Sequence, residues 1–141
     1  MRQDAGRSGG DVLSQRYTLT RTGNLLIARA AASGPAGTKV INLLVDTGST
    51  FTILPVEVLE SIGVSPVEAQ VHERIATGSG FVIAPKVRLS GFSTLGRKFP
   101  RVLVIAHTLP FGGPIDGLLG MDILCRVKAV IAVARGTVEV D

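Results

Sequence analysis

The sequence predicts an all-β domain built from short strands with one or two short helices. Hydrophobic residues make up 45% of the chain but aromatic residues only 4%, so the core must come from Val, Ile, Leu and Ala. Short apolar runs recur between Gly, Pro and Asn turn signals, which is typical of sandwiches and barrels. The length of 141 residues fits one domain of that kind.

The first part of the chain is expected to form a hairpin. Residues 1–15 are polar and glycine-rich, which predicts a flexible N-terminal tail in front of a domain at residues 16–141. Residues 25–32 predict a strand, and the turn signal at residues 33–37 leads into a second strand at residues 39–46. The unbroken apolar run of this second strand predicts burial on both of its faces.

A helix and a second hairpin are expected next. Pro55 suits a first helical position and Gly63 a left-handed stop, so residues 55–62 predict a helix of about two turns. Residues 71–85 predict a hairpin with Gly78 and Gly80 at its tip. The later segments are predicted as strands at residues 86–89 and 99–106 with a polar loop at 90–98 between them, an irregular loop at 110–116, an apolar run with a helical turn at 118–124, and a final hairpin at 128–140.

The charge balance is basic, with 15 Lys and Arg against 11 Asp and Glu and a net charge of +4. Such a balance permits contact with nucleic acid or an anionic membrane. The basic residues are scattered, however, and their one cluster, Arg97, Lys98 and Arg101, includes only Phe99 as a base-stacking residue. Nucleic-acid modules normally organise a stripe or patch, so we expect a solvated loop here and no nucleic-acid partner.

No export or membrane signal is recognisable in the sequence. No apolar run approaches the roughly 18 residues that a membrane-spanning helix needs, and residues 1–11 lack a secretory signal. We therefore expect a cytoplasmic chain with no membrane partner. A membrane-tethered or periplasmic precursor stays open if the sequence is a piece of a longer protein.

The Cys and His residues do not suggest a metal or a cofactor, and none is expected. Cys125 is the single cysteine, which excludes an intrachain disulfide, and we expect it to be a small core residue. His72 and His107 match neither a metal-ligand spacing nor a nucleophile elbow, so we expect surface or partly buried side chains.

One motif carries chemistry: Asp46, Thr47, Gly48, Ser49 and Thr50 follow a buried strand. A carboxylate placed there is costly, because burial disfavours its charged form. The Thr hydroxyl and the backbone amides near Gly48 can offset this cost by hydrogen bonding, since glycine has no Cβ to block their approach to the carboxylate. Taken alone, the tripeptide fits either a structural turn or a catalytic aspartate.

A second motif, at residues 117–122 with the sequence GLLGMD, distinguishes these alternatives. Asp-Thr-Gly-Ser-Thr followed some 70 residues later by this motif resembles the retropepsin-like (retroviral-type) aspartic proteases, and most closely their bacterial single-domain members. The resemblance spans residue 17 to the C-terminus. It implies a closed retropepsin-like β-barrel with a flap hairpin, which acts as an aspartic endopeptidase.

The resemblance also implies a homodimer. Aspartic proteolysis uses two carboxylates that share one proton, and this chain has a single Asp-Thr-Gly, because Asp116 lacks the following Thr or Ser. The second carboxylate must then come from another copy of Asp46 on a two-fold axis. In the implied mechanism one Asp46 activates water, Thr47 hydrogen-bonds across the dyad, and Gly48 contacts the substrate main chain.

Substrate-binding residues follow from the same resemblance. Residues 75–83 would form the flap over an extended peptide or protein substrate, and pepstatin-type or retroviral protease inhibitors are expected ligands. The candidate substrate-binding residues are Ser49, Ile75, Ala76, Thr77, Gly78, Ser79, Gly80, Phe81, Phe111, Ile115 and Leu118.

The sequence departs from the viral pattern at Met121, where retroviral enzymes usually have Arg. Asp122 is expected to be structural, bonding to residues 50–52. The final hairpin, residues 129–140, is expected to supply interface strands, with their pairing left open.

The alternative function is a non-proteolytic or weakly proteolytic retropepsin-like dimerisation or peptide-binding module, as in eukaryotic ubiquitin-shuttle relatives. An intact Asp-Thr-Gly favours the enzyme, because a scaffold does not need a buried acid. The physiological substrate stays open, as does maturation of a longer precursor by self-cleavage.

Overall fold

The structure is a computed structural model and describes residues 14–141. Residues 1–13 of the predicted tail lie outside the described part. The first strand begins at Gln15, one residue before the predicted start of the domain.

The described residues are mostly β, with 52% in strands and 12% in helices. The strands are β1 (Gln15–Thr18), β2 (Thr20–Thr22), β3 (Leu25–Gly34), β4 (Gly37–Val45), β5 (Ile53–Leu54), β6 (Val71–Thr77), β7 (Gly80–Leu89), β8 (Gly91–Thr94), β9 (Arg97–Phe99), β10 (Val102–Ala106), β11 (Gly117–Leu119), β12 (Val130–Ala132) and β13 (Thr137–Val140). The helices are α1 (Val56–Ser61) and α2 (Met121–Arg126), with a 3-10 turn at Pro66–Glu68.

The strands form one large and one small sheet. The large sheet has the order β9-β8-β3-β4-β11-β5-β10-β7-β6, with β2 paired to β3, and it curls into a half-barrel. This pairing path is open at β9 and β6, so the closed barrel stays a prediction. The small sheet has the order β12-β13-β1 and joins the two ends of the described chain.

Two parallel pairings at the centre of the large sheet bring distant segments together. Strand β11 pairs with β4 in parallel, placing Leu118 opposite Leu44, and β10 pairs with β5 in parallel, placing Ile105 opposite Ile53. Strand β11 also pairs with β5, through Leu118 and Ile53. The segments that follow β4 and β11 therefore leave the sheet side by side.

The main apolar core joins the large sheet to both helices and to β13. Strand β4 buries Ile41 and Leu43 and partly buries Leu44, but it leaves Val40 60% exposed, so the prediction of burial on both faces is wrong for the first half of the strand. In the second half of β4, Ile41 and Leu43 belong to the main apolar cluster, and Leu44, on the other face, packs against a second cluster. The first half, residues 37–40, is exposed.

The predicted polar loop at residues 90–98 is instead a hairpin of β8 and β9. Its two-residue turn is formed by Leu95 and Gly96, which both have positive φ angles, of 52° and 71°. Such a turn matches the twist of the flanking strands, but Leu-Gly is not one of the usual Asn-Gly or Asp-Gly signals. The predicted strand at 99–106 is interrupted by residues 100–101, and residues 86–89 are the end of the long strand β7.

Helix α1 confirms the predicted short helix, although Pro55 is its N-cap and not its first helical residue. Val58, Leu59 and Ile62 are buried, as the period predicts. Gly63 ends the segment with a φ of +87°, and a Cβ there would lie 2.8 Å from the backbone nitrogen of Ala36. Glycine therefore lets the helix end pack closely against the β3–β4 turn.

One prediction for helix α2 is wrong. Cys125, which was expected to be a core residue, is exposed. The helix buries Ile123 and Leu124, and Val127 is buried just after it, so Cys125 falls on the opposite face.

Candidate active site

The candidate site is centred on the Asp46 loop, residues 46–52, which follows β4. The Asp46 N–H donates to the Leu119 carbonyl oxygen at 3.0 Å, which continues the pairing of β4 with β11. The Gly48 N–H donates to Asp46 Oδ1 at 2.9 Å, and the Ser49 N–H to the Asp46 carbonyl oxygen at 3.2 Å. The half-buried carboxylate is thus held at a fixed position by its own loop.

Gly48 contacts the Asp46 carboxylate directly, whereas Thr47 does not. A Cβ at position 48 would lie only 3.2 Å from Asp46 Oδ1, so glycine allows the close approach of the amide. Thr47 is exposed, and its hydroxyl makes no hydrogen bond within residues 14–141. The Thr47 hydroxyl is therefore available to a group from outside this part of the chain.

The GLLGMD motif holds the Asp46 loop from the other side. The Met121 N–H donates to the Ser49 carbonyl oxygen at 2.8 Å, and the Asp122 N–H to the Thr50 carbonyl oxygen at 3.2 Å. Asp122 accepts from the Thr52 N–H at 3.0 Å and from the Thr52 hydroxyl at 2.8 Å. The prediction that Asp122 is a structural residue bonded to residues 50–52 is confirmed.

Thr52 is the buried centre of this arrangement, with no solvent exposure. Its hydroxyl donates to Asp122 and accepts from the Gly120 N–H at 3.1 Å. A Cβ on Gly120 would overlap the Phe51 carbonyl oxygen, so only glycine lets the two segments pack this closely. The two motifs thus form one hydrogen-bonded unit.

Asp116, the other Asp that precedes a Gly, has a separate role. Its N–H donates to the Asn42 carbonyl oxygen at 2.8 Å, and its Oδ2 accepts from the Asn42 N–H at 2.8 Å. Asp116 therefore braces β4 upstream of Asp46 and does not line the cavity described next.

A groove of about 700 Å³, which we call the Asp46 groove, lies between the Asp46 loop and the hairpin of β6 and β7. It contains Asp46 and nine other residues predicted for the site: Gly48, Ser49, Ile75, Ala76, Thr77, Gly78, Ser79, Phe81 and Leu118. Four predicted site residues do not line it: Thr47, Gly80, Phe111 and Ile115. Phe111 and Ile115 belong to the loop that leads into β11.

Sequence reasoning missed seven residues of this groove: Thr50, Phe51, Ile53, Arg74, His107, Leu109 and Pro110. Val82 also lines the groove and lies within the predicted flap, residues 75–83. Thr50 and Phe51 could have been predicted, because Thr50 ends the Asp-Thr-Gly-Ser-Thr motif and Phe51 follows it. Ile53, His107 and Leu109 enter through the parallel pairing of β5 with β10, which no local pattern reveals.

The hairpin confirms the predicted strand pair and tip. Strands β6 and β7 pair from Val71 opposite Lys86 to Thr77 opposite Gly80, with Gly78 and Ser79 as the turn. Ile75 is buried in a small apolar cluster with Ile53, Ala84, Ile105 and Leu118. Three of these residues, Ile53, Ile75 and Leu118, line the Asp46 groove as its apolar floor, and the cluster joins the hairpin to the central strands.

A polar clamp ties the base of the hairpin to the Asp46 loop. Lys86 Nζ lies 3.2 Å from Glu73 Oε1 and 5.0 Å from the ring centroid of Phe51. Phe51 also lines the groove. A cation over an aromatic face is attracted to it, so Lys86 links the two β-strands to the loop that carries Asp46.

Helix α1 contributes a carboxylate that contacts the segment after His107, at Thr108. The Thr108 hydroxyl donates to Glu57 Oε1 at 2.6 Å and accepts from the Val56 N–H at 3.1 Å. The hydrogen bond from Thr108 lowers the pKa of Glu57 below its ordinary value of 4.5. This contact fixes the backbone next to His107, a half-buried groove residue.

Residues 14–141 contain no group of three or more His, Cys, Asp or Glu side chains that could hold a metal ion. Within the same range, no helix combines the length and apolar character needed to cross a membrane.

Two comparisons with known proteins find matches. The sequence profile of the family described as aspartyl protease matches residues 32–123, which include the Asp46 loop and the GLLGMD motif. The crystal structure of a retropepsin-like aspartic protease from Rickettsia conorii superposes with a TM-score of 0.68, covering 91% of each chain at 18% sequence identity. At that identity the likeness concerns the fold. A search of curated proteins gives no significant match.

Proposed function

The chain belongs to the aspartyl protease family and has a retropepsin-like fold, and from this premise we propose that it is an aspartic endopeptidase that works as a homodimer. The observation that carries the proposal is the position of Asp46. Its carboxylate is braced by the Gly48 N–H and lies in a groove that is otherwise free of acidic side chains within residues 14–141.

The proposal requires two copies of the chain. Peptide hydrolysis by aspartates needs one ionised and one protonated carboxylate, which share a proton because two negative charges about 3 Å apart repel each other. Each described chain brings one such carboxylate to its groove. A two-fold axis beside Asp46 would supply the second from an identical chain.

In this dimer one ionised Asp46 removes a proton from a bound water, whose oxygen attacks the scissile carbonyl carbon. The protonated Asp46 of the second copy donates to the carbonyl oxygen and so stabilises the tetrahedral intermediate. When the C–N bond breaks, a proton passes to the leaving amine and the shared proton is restored. The exposed Thr47 hydroxyl would bond to the loop of the second copy and keep the carboxylates coplanar.

The substrate would be an extended peptide that lies between the Asp46 loop and the β6–β7 hairpin. The apolar floor around Ile75 and Leu118 favours apolar side chains beside the scissile bond. We propose that the hairpin acts as a flap, since Gly78 forms its tip and Gly80 adopts a φ of +127°. Gly80, Phe111 and Ile115 would reach the substrate when the flap and the loop before β11 close.

The test of catalysis is cleavage of a mixed peptide library between about pH 4 and 7, with and without pepstatin. Asp46→Asn should abolish cleavage while the protein keeps its fold, because the amide has nearly the same shape but cannot act as a base. Asp116→Asn is the matched control, since Asp116 also precedes a glycine but lies outside the groove. Equal cleavage by wild type and Asp46→Asn would refute the assignment.

The shared site is tested by subunit mixing. An equal amount of Asp46→Asn protein, left to exchange with wild type, should reduce the activity to about half, because mixed dimers carry one functional carboxylate. Activity that is unchanged by mixing and by dilution would contradict a shared dyad. A folded dimer that binds peptides without cleaving them would favour the binding-module alternative.

A further inference from the structure

The charge of the Asp46 groove is uneven. Three of its lining residues are ionisable: Asp46, Arg74 and His107. The proposed chemistry uses Asp46, which leaves two basic side chains and no acidic one to meet the side chains of a bound peptide. We propose that Arg74 and His107 are specificity-determining residues that select peptides with an acidic side chain near the scissile bond. This inference rests on the proposed function.

His107 is held in the groove wall by its backbone. Its N–H donates to the Leu54 carbonyl oxygen at 3.0 Å, which extends the pairing of β10 with β5. The next residue, Thr108, is fixed by its bonds to Val56 and Glu57. The imidazole itself is half-buried and makes no hydrogen bond within the described residues. A positioned ring with both nitrogens free can accept a new partner.

Arg74 borders the groove from the hairpin, on the face of β6 opposite to the buried Ile75 and on the same side as the exposed Phe81. Its guanidinium carbon lies 4.2 Å from the ring centroid of Phe81, which also lines the groove. Stacking on an aromatic face leaves the edge of the guanidinium free for a carboxylate. Across residues 14–141, Arg74 forms no ion pair, so its charge is not neutralised by the protein.

The neighbouring acids do not cancel these charges. Glu73 on β6 is paired with Lys86 on β7, so this couple adds no net charge to the base of the hairpin. Glu57 on α1 is exposed and accepts from Thr108, not from His107. Asp46 faces the groove, and in the proposed dimer two copies share one negative charge. A carboxylate on the substrate therefore meets more positive than negative charge.

The selectivity should depend on the charge of the substrate side chain. A substrate glutamate is ionised above about pH 4.3. The preference for it should therefore be present at about pH 5.5 and disappear below about pH 4, where the substrate carboxyl group is neutral.

The experiment uses matched peptides with an apolar cleavage site and Glu, Gln or Lys at one position, moved stepwise along the four positions on either side of the bond. We expect a kcat/KM ratio of Glu to Gln peptide of about three to five at pH 5.5 for at least one position, with the Lys peptide poorer than both. His107→Gln and Arg74→Gln should each lower this ratio at about pH 5.5. His72→Gln is the control, since His72 is exposed and outside the groove.

Failure of this inference can be distinguished from failure of the proposed function. Cleavage of the Gln peptide, and its loss in Asp46→Asn, tests the protease alone. A Glu to Gln ratio of one in wild type at every position and pH would overturn the selectivity while the protease stands. If no peptide is cleaved, affinities for reduced-bond Glu and Gln peptides test the selectivity instead, and equal affinities would refute it.

Discussion

At the scale of single residues, the support of the Asp46 loop depends on Gly120. It lies where the GLLGMD motif crosses the loop, and a Cβ there would overlap the Phe51 carbonyl oxygen and come within 2.9 Å of the Ser49 oxygen. The φ of Gly120 is −98°, so alanine meets no conformational penalty at this position. The close approach of the two segments is what requires glycine.

We predict that Gly120→Ala lowers the free energy of unfolding by about 2 kcal/mol or more, because the backbone of the Asp46 loop must move. Gly112→Ala is the matched control, since no atom lies within 4 Å of a Cβ at that position. Denaturant titration of both variants measures the difference. Equal stability of the two would contradict the steric account.

The residue scale also shows what sequence can predict. The bonds of Asp122 to residues 50–52 were predictable because both segments belong to one recognisable motif pair. Arg74 was not, because the side chains of a strand alternate between faces and the sequence does not say which face meets the groove. His107 was not, because it enters the groove through the pairing of β5 with β10, which no local pattern reveals. Cys125 was misplaced because α2 has only six residues, too few for the sequence to show which face is buried.

At the scale of elements, the β6–β7 hairpin is joined to the rest of the site by the Lys86 clamp. Lys86→Met keeps the apolar stem but removes the charge that meets Glu73 and the Phe51 ring. We predict that amide hydrogen exchange along β6 and β7 becomes faster, because the free energy of local opening of the hairpin falls by about 1 kcal/mol. Arg88→Met, on the same strand but exposed, should leave the exchange of the hairpin tip unchanged.

Helix α1 carries a pH-dependent contact. Because the pKa of Glu57 is lowered in the folded state by Thr108, the contact stabilises the protein above the ordinary value of 4.5 and is lost as pH falls through the folded pKa. Glu57→Gln keeps an acceptor for Thr108 but has no charge. We predict that the melting temperature of wild type exceeds that of Glu57→Gln at pH 7 and that the two melting temperatures become equal near pH 3. A difference in melting temperature that does not depend on pH would contradict this.

Predictability at the element scale followed local signals. The hairpins with Gly-rich turns and the helix that stops at Gly63 were found, because these residues mark turns and helix ends whatever the tertiary structure. The β8–β9 hairpin was missed, since its turn places Leu95 at positive φ. The surrounding strands impose that conformation, and no pattern in the sequence predicts it.

At the scale of the whole molecule, the proposed dimer needs an interface, and the small sheet is our candidate for it. Strand β12 is an edge strand of this sheet, and Val130 and Val133 are 66% and 64% exposed. We predict that Val130→Lys weakens dimerisation, measured by analytical ultracentrifugation, and lowers activity at low protein concentration. Val67→Lys is the control, because Val67 is 88% exposed on the 3-10 turn. An unchanged dimer in Val130→Lys would exclude β12 from the interface.

The mostly β character followed from composition, but the order of strands in the large sheet did not. Parallel neighbours such as β4 and β11 are separated by some 70 residues, and nothing in either strand specifies its partner. The resemblance carried by the two motifs supplied that topology as an expectation. Composition and periodicity alone left a barrel and a sandwich equally open.

The bond between Thr52 and Asp122 joins residues 70 positions apart, and this has a consequence for the order of events in folding. Contacts between distant residues must wait until the intervening chain has been organised, which makes them late. During synthesis the Asp46 loop would have no brace until α2 has emerged from the ribosome, so a nascent chain would not yet hold its carboxylate in place. Pulsed hydrogen exchange during refolding should show protection of residues 46–52 arising with that of α2, and earlier protection of the loop would argue against this timing.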